Sequence, residues 1–319
     1  MKHLYTIPAF FCVLLFAATS VHAADNFNLK STKESIEITQ GDLPVATYHF
    51  FSGAKPIVWP IYGPGGAEMT RGYPMRDASE AERSDHIHHR SFWFTHGEVN
   101  GVDFWAETDG HGVIEQTKLI KAEGGKNAVI ETANDWKSSD GEKVLSDRRR
   151  ITFGGDADMR WIDFDITLIA SAGDVQFGDT KEGSFGIRIP GTMKVDAKKG
   201  GRIVNSEGDS DKGAWGKPAK WVDYTGPVGS ETVGIAILYH PSSFHFPCRW
   251  HVRTYGLFAA NPFGHHHFVG EKKKTDGVRL AEGETLKLRY RVLFHKGTTD
   301  EAEIGEQFLA YEKLAIEGP

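Results

Sequence analysis

Apolar and polar residues alternate with a period of two through much of this chain. In Trp161-Ile162-Asp163-Phe164-Asp165-Ile166-Thr167-Leu168, the side chains of Ile162, Phe164, Ile166 and Leu168 fall on one face of an extended segment. Segments 36–38, 45–51, 113–122, 127–136, 144–153, 161–170 and 286–292 carry β-branched or aromatic residues in the same manner, and 233–239 predicts a more buried strand. Gly63-Pro64-Gly65-Gly66, Gly124-Gly125, Gly154-Gly155 and Gly200-Gly201 punctuate them. With no alternation of strand and helix patterns, a parallel doubly wound sheet is disfavoured. The pattern predicts an all-β fold, a large antiparallel two-sheet sandwich, because many such strands must bury one face against a second sheet. One helix is expected at the C-terminus. There Thr298 and Glu301 have capping-box spacing, and Ile304, Phe308, Tyr311 and Ala315 recur on one face.

The first residues change the picture of where the protein works. Lys2 and His3 precede an apolar run over residues 4–18, and Val21-His22-Ala23 supplies small residues at cleavage spacing. We read residues 1–23 as a signal peptide and 24–319 as a single β-sandwich domain, placing the mature protein in the periplasm or outside the cell. Cys12 lies in the leader, so Cys248 is the one cysteine of the mature chain and no internal disulfide forms. The formal charge of −6 disfavours a nucleic-acid partner, which would need a basic surface. Arg148-Arg149-Arg150 and Lys272-Lys273-Lys274 are expected as solvated strand or turn positions. Past the leader no stretch is long and apolar enough for a membrane span, so no integral membrane domain is expected.

Candidate chemistry is concentrated in two ribbons. Four of the 15 histidines, His86, His88, His89 and His96, lie within eleven residues, among Asp85, Arg90, Trp93 and Glu98. Six more fall between His240 and His267, among Arg249, Trp250, Arg253, Tyr255 and Asn261. Imidazole titrates near neutrality, so such density points to acid–base or metal chemistry. In extended backbone His86, His88 and Arg90 would share one face, with Phe92, Phe94 and His96 continuing it; Arg249, His251, Arg253 and Tyr255 would share another. Both ribbons are expected to line one cavity. Glu182, opening a strand after a glycine-aspartate turn, is the carboxylate expected to meet the histidines. Arg71, Tyr73 and Trp105 add sugar-binding chemistry beside the first ribbon, as Arg249 and Asn261 do beside the second. A His-x-His pair can hold a metal, but the carboxylate of the cupin pattern is missing at the needed distance. His265-His266-His267 is a loop triplet of alternating direction and not a specific metal signal. No Gly-x-Ser-x-Gly elbow or phosphate loop is present.

The segment from Tyr62 to Glu107 contains Gly-Pro-Gly-Gly-Ala-Glu-Met-Thr-Arg-Gly-Tyr-Pro-Met, His-Ile-His-His-Arg and His-Gly-Glu-Val-Asn-Gly-Val-Asp-Phe-Trp. Together with Arg249-Trp250-His251-Val252-Arg253-Thr254-Tyr255-Gly256-Leu257-Phe258 and the 181–190 stretch, it resembles an uncharacterised bacterial family labelled PmoA, or methane oxygenase. That label implies a subunit with several apolar spans, which the mature chain lacks, so we treat it as a misannotation and carry no oxygenase role from it. The resemblance implies a secreted sandwich protein of polysaccharide-degrading bacteria, hence a carbohydrate substrate.

These readings favour a carbohydrate-active enzyme on a large β-sandwich, similar in general architecture to the mutarotase-like supersandwich, that moves protons at a sugar ring, as lyase, epimerase or hydrolase. His88 or His251 would act as base and Tyr255 or His96 as acid; Arg90 or Arg249 would stabilise developing enolate charge. An epimerase would pair His88 with Glu182. Two other classes stay open: a non-catalytic glycan-binding protein, and a metal-dependent oxygenase or hydrolase centred on His86 and His88. No cofactor follows from the sequence.

Overall fold

The computed structural model describes Met1 and residues 26–314. The leader at 1–23, apart from Met1, and Ala315 lie outside the described residues. Two eight-stranded antiparallel sheets pack face to face, as the alternation predicts. The first runs, in spatial order, Phe27–Ser31, Ser35–Gln40, Leu43–Ser52, Lys55–Ile61, Phe92–His96, Gly183–Arg188, Leu257–Asn261, Arg249–Val252. The second runs Arg202–Asn205, Trp221–Val228, Glu231–Tyr239, Thr285–Lys296, Met159–Ile169, Lys143–Gly155, Ala128–Lys137, Val113–Glu123. A small ribbon pairs Val175–Phe177 with Val278–Leu280.

Period-two patterning decides which side chains meet between the sheets. Phe92, Phe94, Phe185 and Ile187 of the first sheet face Phe164, Tyr290 and Trp136 of the second in one buried core. Phe185 stacks on Tyr290 at 4.3 Å between ring centroids and meets Phe92 edge-on at 4.9 Å, geometries favourable for aromatic pairs. Removing such surface from water is the main source of stability here. Residues one step out of phase point the other way. Trp93, Leu257 and Ala259 therefore form a second, smaller cluster with Ile57 and Trp105 on the outer face of the first sheet. The site rests on this cluster.

The C-terminal helix forms as Ile304–Tyr311. Its Ile304, Phe308 and Tyr311 cover Ala236, Leu238 and Leu293 on the outer face of the second sheet. Thr298 and Glu301 exchange capping-box hydrogen bonds, but one turn ahead of the helix, because Glu303 adopts a left-handed conformation (φ 51°) and delays its start.

One expectation about charge is corrected. Arg149 is not solvated: it is buried against Asp147, which also accepts from Asn134 and the Trp136 indole. Its position on the strand points it into the core, where a guanidinium persists only when paired. Lys272, Lys273 and Lys274 are exposed as expected. Cys248 is free and buried, with burial pushing its thiol well above the ordinary range.

Candidate active site

On the outer face of the first sheet, a cavity of about 350 Å³ is lined by His86, His88, His89, Trp105, Ala106, Lys181, Glu182, His251, Arg253 and Tyr255. The two histidine-rich ribbons thus meet, and Glu182 lies between them. The volume stands at the small end of ligand pockets, which span about 300–1,000 Å³.

The late wall is built as the alternation predicts. In Arg249–Val252, Trp250 and Val252 enter the core, so His251 faces outward, opposite Ala259 on the neighbouring strand. Its Nδ1 lies 2.9 Å from the Lys181 carbonyl oxygen. A carbonyl can only accept, so Nδ1 carries the proton and Nε2 keeps a lone pair. Burial lowers the His251 pKa to about 4, with the Glu182 charge opposing the shift. Burial raises the Glu182 carboxyl, but its hydrogen bond to the Lys181 ammonium and that ammonium's charge outweigh this, leaving it ionised at neutral pH. The strand ends at Val252. Arg253 and Tyr255 follow in a turn, with the Arg253 guanidinium 5.7 Å from the Trp215 ring and 5.5 Å from that of Tyr255. Among the described residues no carboxylate forms an ion pair with Arg253. Burial raises the Tyr255 hydroxyl, so it holds its proton at neutral pH.

The early wall differs from the expected strand. Residues 84–91 form turns, with positive φ at His86 (47°) and Ser91 (61°), and the strand begins only at Phe92. The turn gathers His86, His88 and His89 on one side, with ring centroids 4.5–5.7 Å apart. Tyr255, His86, His89 and Trp93 form a column of near-parallel rings at 5.7, 4.8 and 5.4 Å, which ties the late wall to the early one. Burial, then the charge of Lys55, lowers the His88 pKa to about 4. Trp105 closes the floor, its indole N–H buried without a partner.

Arg90 is corrected. The turn swings it out of the cavity to lie against Gly53, where it forms a bidentate pair with Glu107 at 2.8 and 2.6 Å. Glu107 also accepts from the fully buried Lys55 at 2.9 Å. Arg71 is corrected too. It is buried beneath the histidine turn and donates to the carbonyls of Arg83, Asp85, His86 and His89 and to the Asp85 carboxylate. It holds the turn in shape and cannot also hold a ligand. Tyr73 packs over Arg71 at 5.4 Å, outside the lining. His96 is buried behind the sheet, between the Gly178 carbonyl at 2.8 Å and the Ser184 hydroxyl at 3.2 Å, against Phe263. Asn261 is spent on Thr180 O and on the amides of Phe263 and Gly264. Arg249 donates to Gly216 O and lines a separate cavity of about 480 Å³. Of the candidate residues, His88, Trp105, Glu182, His251 and Tyr255 converge; Arg71, Tyr73, Arg90, His96, Arg249 and Asn261 do not. Nor do His86 and His88 gain a third close donor for a metal among the described residues, where one group of three, elsewhere, has ligand atoms within 4.8 Å of one another.

Sequence reasoning missed Lys181 and Arg188. Arg188 donates to Asp85 at 3.1 Å and lies 4.8 Å from the Tyr255 ring, bracing both walls from below. Their signal is the polar punctuation of the otherwise apolar 181–190 stretch.

Neutral buried imidazoles make the fold acid-sensitive. His96 and His251, each with a pKa of about 4 against an unfolded value near 6.5, bind fewer protons folded than unfolded between those values. Their contribution is complete above pH 6.5 and is lost as pH falls to 4, on the order of 3 kcal/mol for each fully buried ring. His295, raised by Asp223 despite its burial, acts oppositely and loses its contribution as pH rises through its elevated pKa. Thermal unfolding should therefore show a clear drop in Tm from pH 7 to pH 4.5, and a His96→Gln variant should show a smaller one.

The chain belongs to a family of unknown function, DUF6807, whose profile matches residues 35–309. No curated protein matches the sequence. Among solved structures it is similar to the GH36 α-galactosidase AgaB of Geobacillus stearothermophilus, with 11% identity and a TM-score of 0.41 over 85% of this chain and 41% of that one. It is also similar to a glycoside hydrolase family 97 enzyme of Pseudoalteromonas sp. strain K8 in complex with acarbose, with 9% identity and a TM-score of 0.31 over 85% of this chain and 34% of that one. This chain thus spans less than half the length of either enzyme. Among the described residues no helix is long and apolar enough to cross a membrane.

Proposed function

We propose that the protein is a secreted carbohydrate-active enzyme that abstracts a proton from a carboxylated sugar and eliminates the neighbouring glycosidic oxygen. The reading rests on one observation: a small cavity holds the lone pair of His251 Nε2, the proton of Tyr255 and the unpaired guanidinium of Arg253 side by side. A guanidinium without a carboxylate of its own is suited to the carboxylate of a ligand. The faces of Trp105 and Tyr255 suit a sugar ring, and the family resemblance implies a carbohydrate.

In this scheme His251 Nε2 takes the proton beside the sugar carboxylate. The electron pair delocalises onto that carboxylate, facing Arg253, and then forms the ring double bond as the bond to the leaving oxygen breaks. Tyr255 gives its proton to that oxygen. Glu182 stabilises the imidazolium that forms. A pKa of about 4 makes His251 a weak base in the free protein. An anionic substrate raises it, because a nearby negative charge favours the protonated ring. His88 lines the opposite wall and contacts the same ligand.

Incubation with acidic and neutral polysaccharides, following absorbance of unsaturated ends and reducing-end release, tests the reading. Unsaturated ends from a polyuronate alone are expected. Saturated reducing ends from neutral glycans would replace elimination by hydrolysis. Binding without any product, unchanged in His251→Asn, would favour a glycan-binding protein.

A further inference from the structure

We propose a second, separate site: His266, His267 and Glu271 bind a zinc-like divalent cation that clamps segment 265–275 against the cavity wall. Neither the cavity chemistry nor the family match assigns any role to these residues. The short helix His266–Val269 and the turn at Gly270 (φ 122°) bring Glu271 back towards the two imidazoles. Glu271 Oε2 stands 3.4 Å from His266 Nε2, and its Oε1 stands 3.9 Å from His267 Nε2. A tetrahedral ion with bonds of about 2.0–2.1 Å separates its ligand atoms by about 3.3 Å, and the three ligand atoms here lie within 4.8 Å of one another, so the set must contract to close on one. The His267 Nδ1 is buried without a hydrogen-bond partner among the described residues.

The support behind His266 is of the kind metal-binding imidazoles use. Its Nδ1 lies 3.1 Å from Asp179 Oδ1, at ion-pair distance though not aligned as a hydrogen bond. Asp179 is itself fixed by the amides of His265, His266 and Thr275 and by the Thr275 hydroxyl. A carboxylate behind one nitrogen turns the other towards the ion and makes it a better donor. The charges also balance: two neutral imidazoles with Glu271 and Asp179 offset a divalent cation. A hard cation such as magnesium or calcium would instead seek a mostly oxygen shell.

Position gives the ion its consequence. Asp179 lies three residues before Glu182, and Phe268 packs edge-on against His251 at 6.2 Å and against Trp215 at 5.2 Å. Ligation would pin the segment that backs the late wall. The ion would be a clamp, not a participant in proton transfer.

Calorimetric titration of the chelator-stripped full chain with zinc sulfate, paired with cobalt(II) absorption spectra, tests this directly. The expected result is one equivalent bound at micromolar Kd or tighter and a tetrahedral cobalt spectrum. Glu271→Gln and His267→Gln, both on exposed or half-exposed residues, should each weaken binding at least tenfold with Tm of the stripped protein unchanged. His88→Ala should bind as the wild type does. Absence of uptake would overturn the proposal and leave His266 as a bridge between Asp179 and Glu271. So would uptake indifferent to both substitutions, or uptake lost in His88→Ala, which would move the ion to the cavity.

Discussion

Replacing His251 by asparagine should lower kcat by about 10³-fold on the substrate that releases unsaturated ends, within the range of roughly 10²–10⁴ for a positioned acid–base group. Asparagine can still donate to the Lys181 carbonyl that His251 Nδ1 engages, so the wall should keep its shape. What disappears is the lone pair of Nε2. The loss should fall on kcat with KM little changed, because the proton moves only in the transition state. Steady-state kinetics on the variant, with Tm measured alongside, checks both parts. A variant with full turnover would remove His251 from the reaction.

Arg71→Leu should be the most damaging single change to structure around the site, costing about 3–5 kcal/mol, the range for breaking a buried charge network. Arg71 gathers four backbone carbonyls and the Asp85 carboxylate under the histidine turn. Leucine fills part of the space but donates nothing, so those buried acceptors lose their partner. Asp85 would keep Arg188, at 3.1 Å, as its one guanidinium. Chemical denaturation should show the loss as a lower midpoint, and hydrogen exchange should show residues 83–91 opening first. A drop below 1 kcal/mol would mean that the turn is shaped by its own backbone instead.

These two residues mark where sequence reading succeeds and where it stops. His251 was legible because a strand has a period of two: with Trp250 and Val252 apolar, His251 must face outward, and it does. The sandwich was legible for the same reason, repeated over many strands. Arg71 and Arg90 were not. Arg71 read as sugar-binding and Arg90 as a stabiliser of enolate charge, yet the turns at 84–91 carry Arg90 away to Glu107 and enclose Arg71 beneath them. Turn geometry depends on which distant groups accept hydrogen bonds, here Glu107 and a fan of carbonyls, and no local periodicity encodes those partners. His96 failed differently. It continues the ribbon in sequence, but its side chain turns towards Gly178, Ser184 and Phe263, away from the cavity. Glu271 escaped notice because the meeting of one turn with His266 and His267 is a property of the folded loop.

The pairing of a free guanidinium with a proton acceptor in one cavity carries the functional reading, so Arg253→Gln offers the sharpest trial. Formation of unsaturated ends from a polyuronate by this variant and by the wild type should be compared at matched stability. A rise in KM together with a fall in kcat is expected, since the guanidinium would hold the carboxylate in the bound state and hold its added charge in the transition state. Unsaturated ends released by Arg253→Gln at the wild-type rate, or released by neither protein from any acidic glycan, would contradict it.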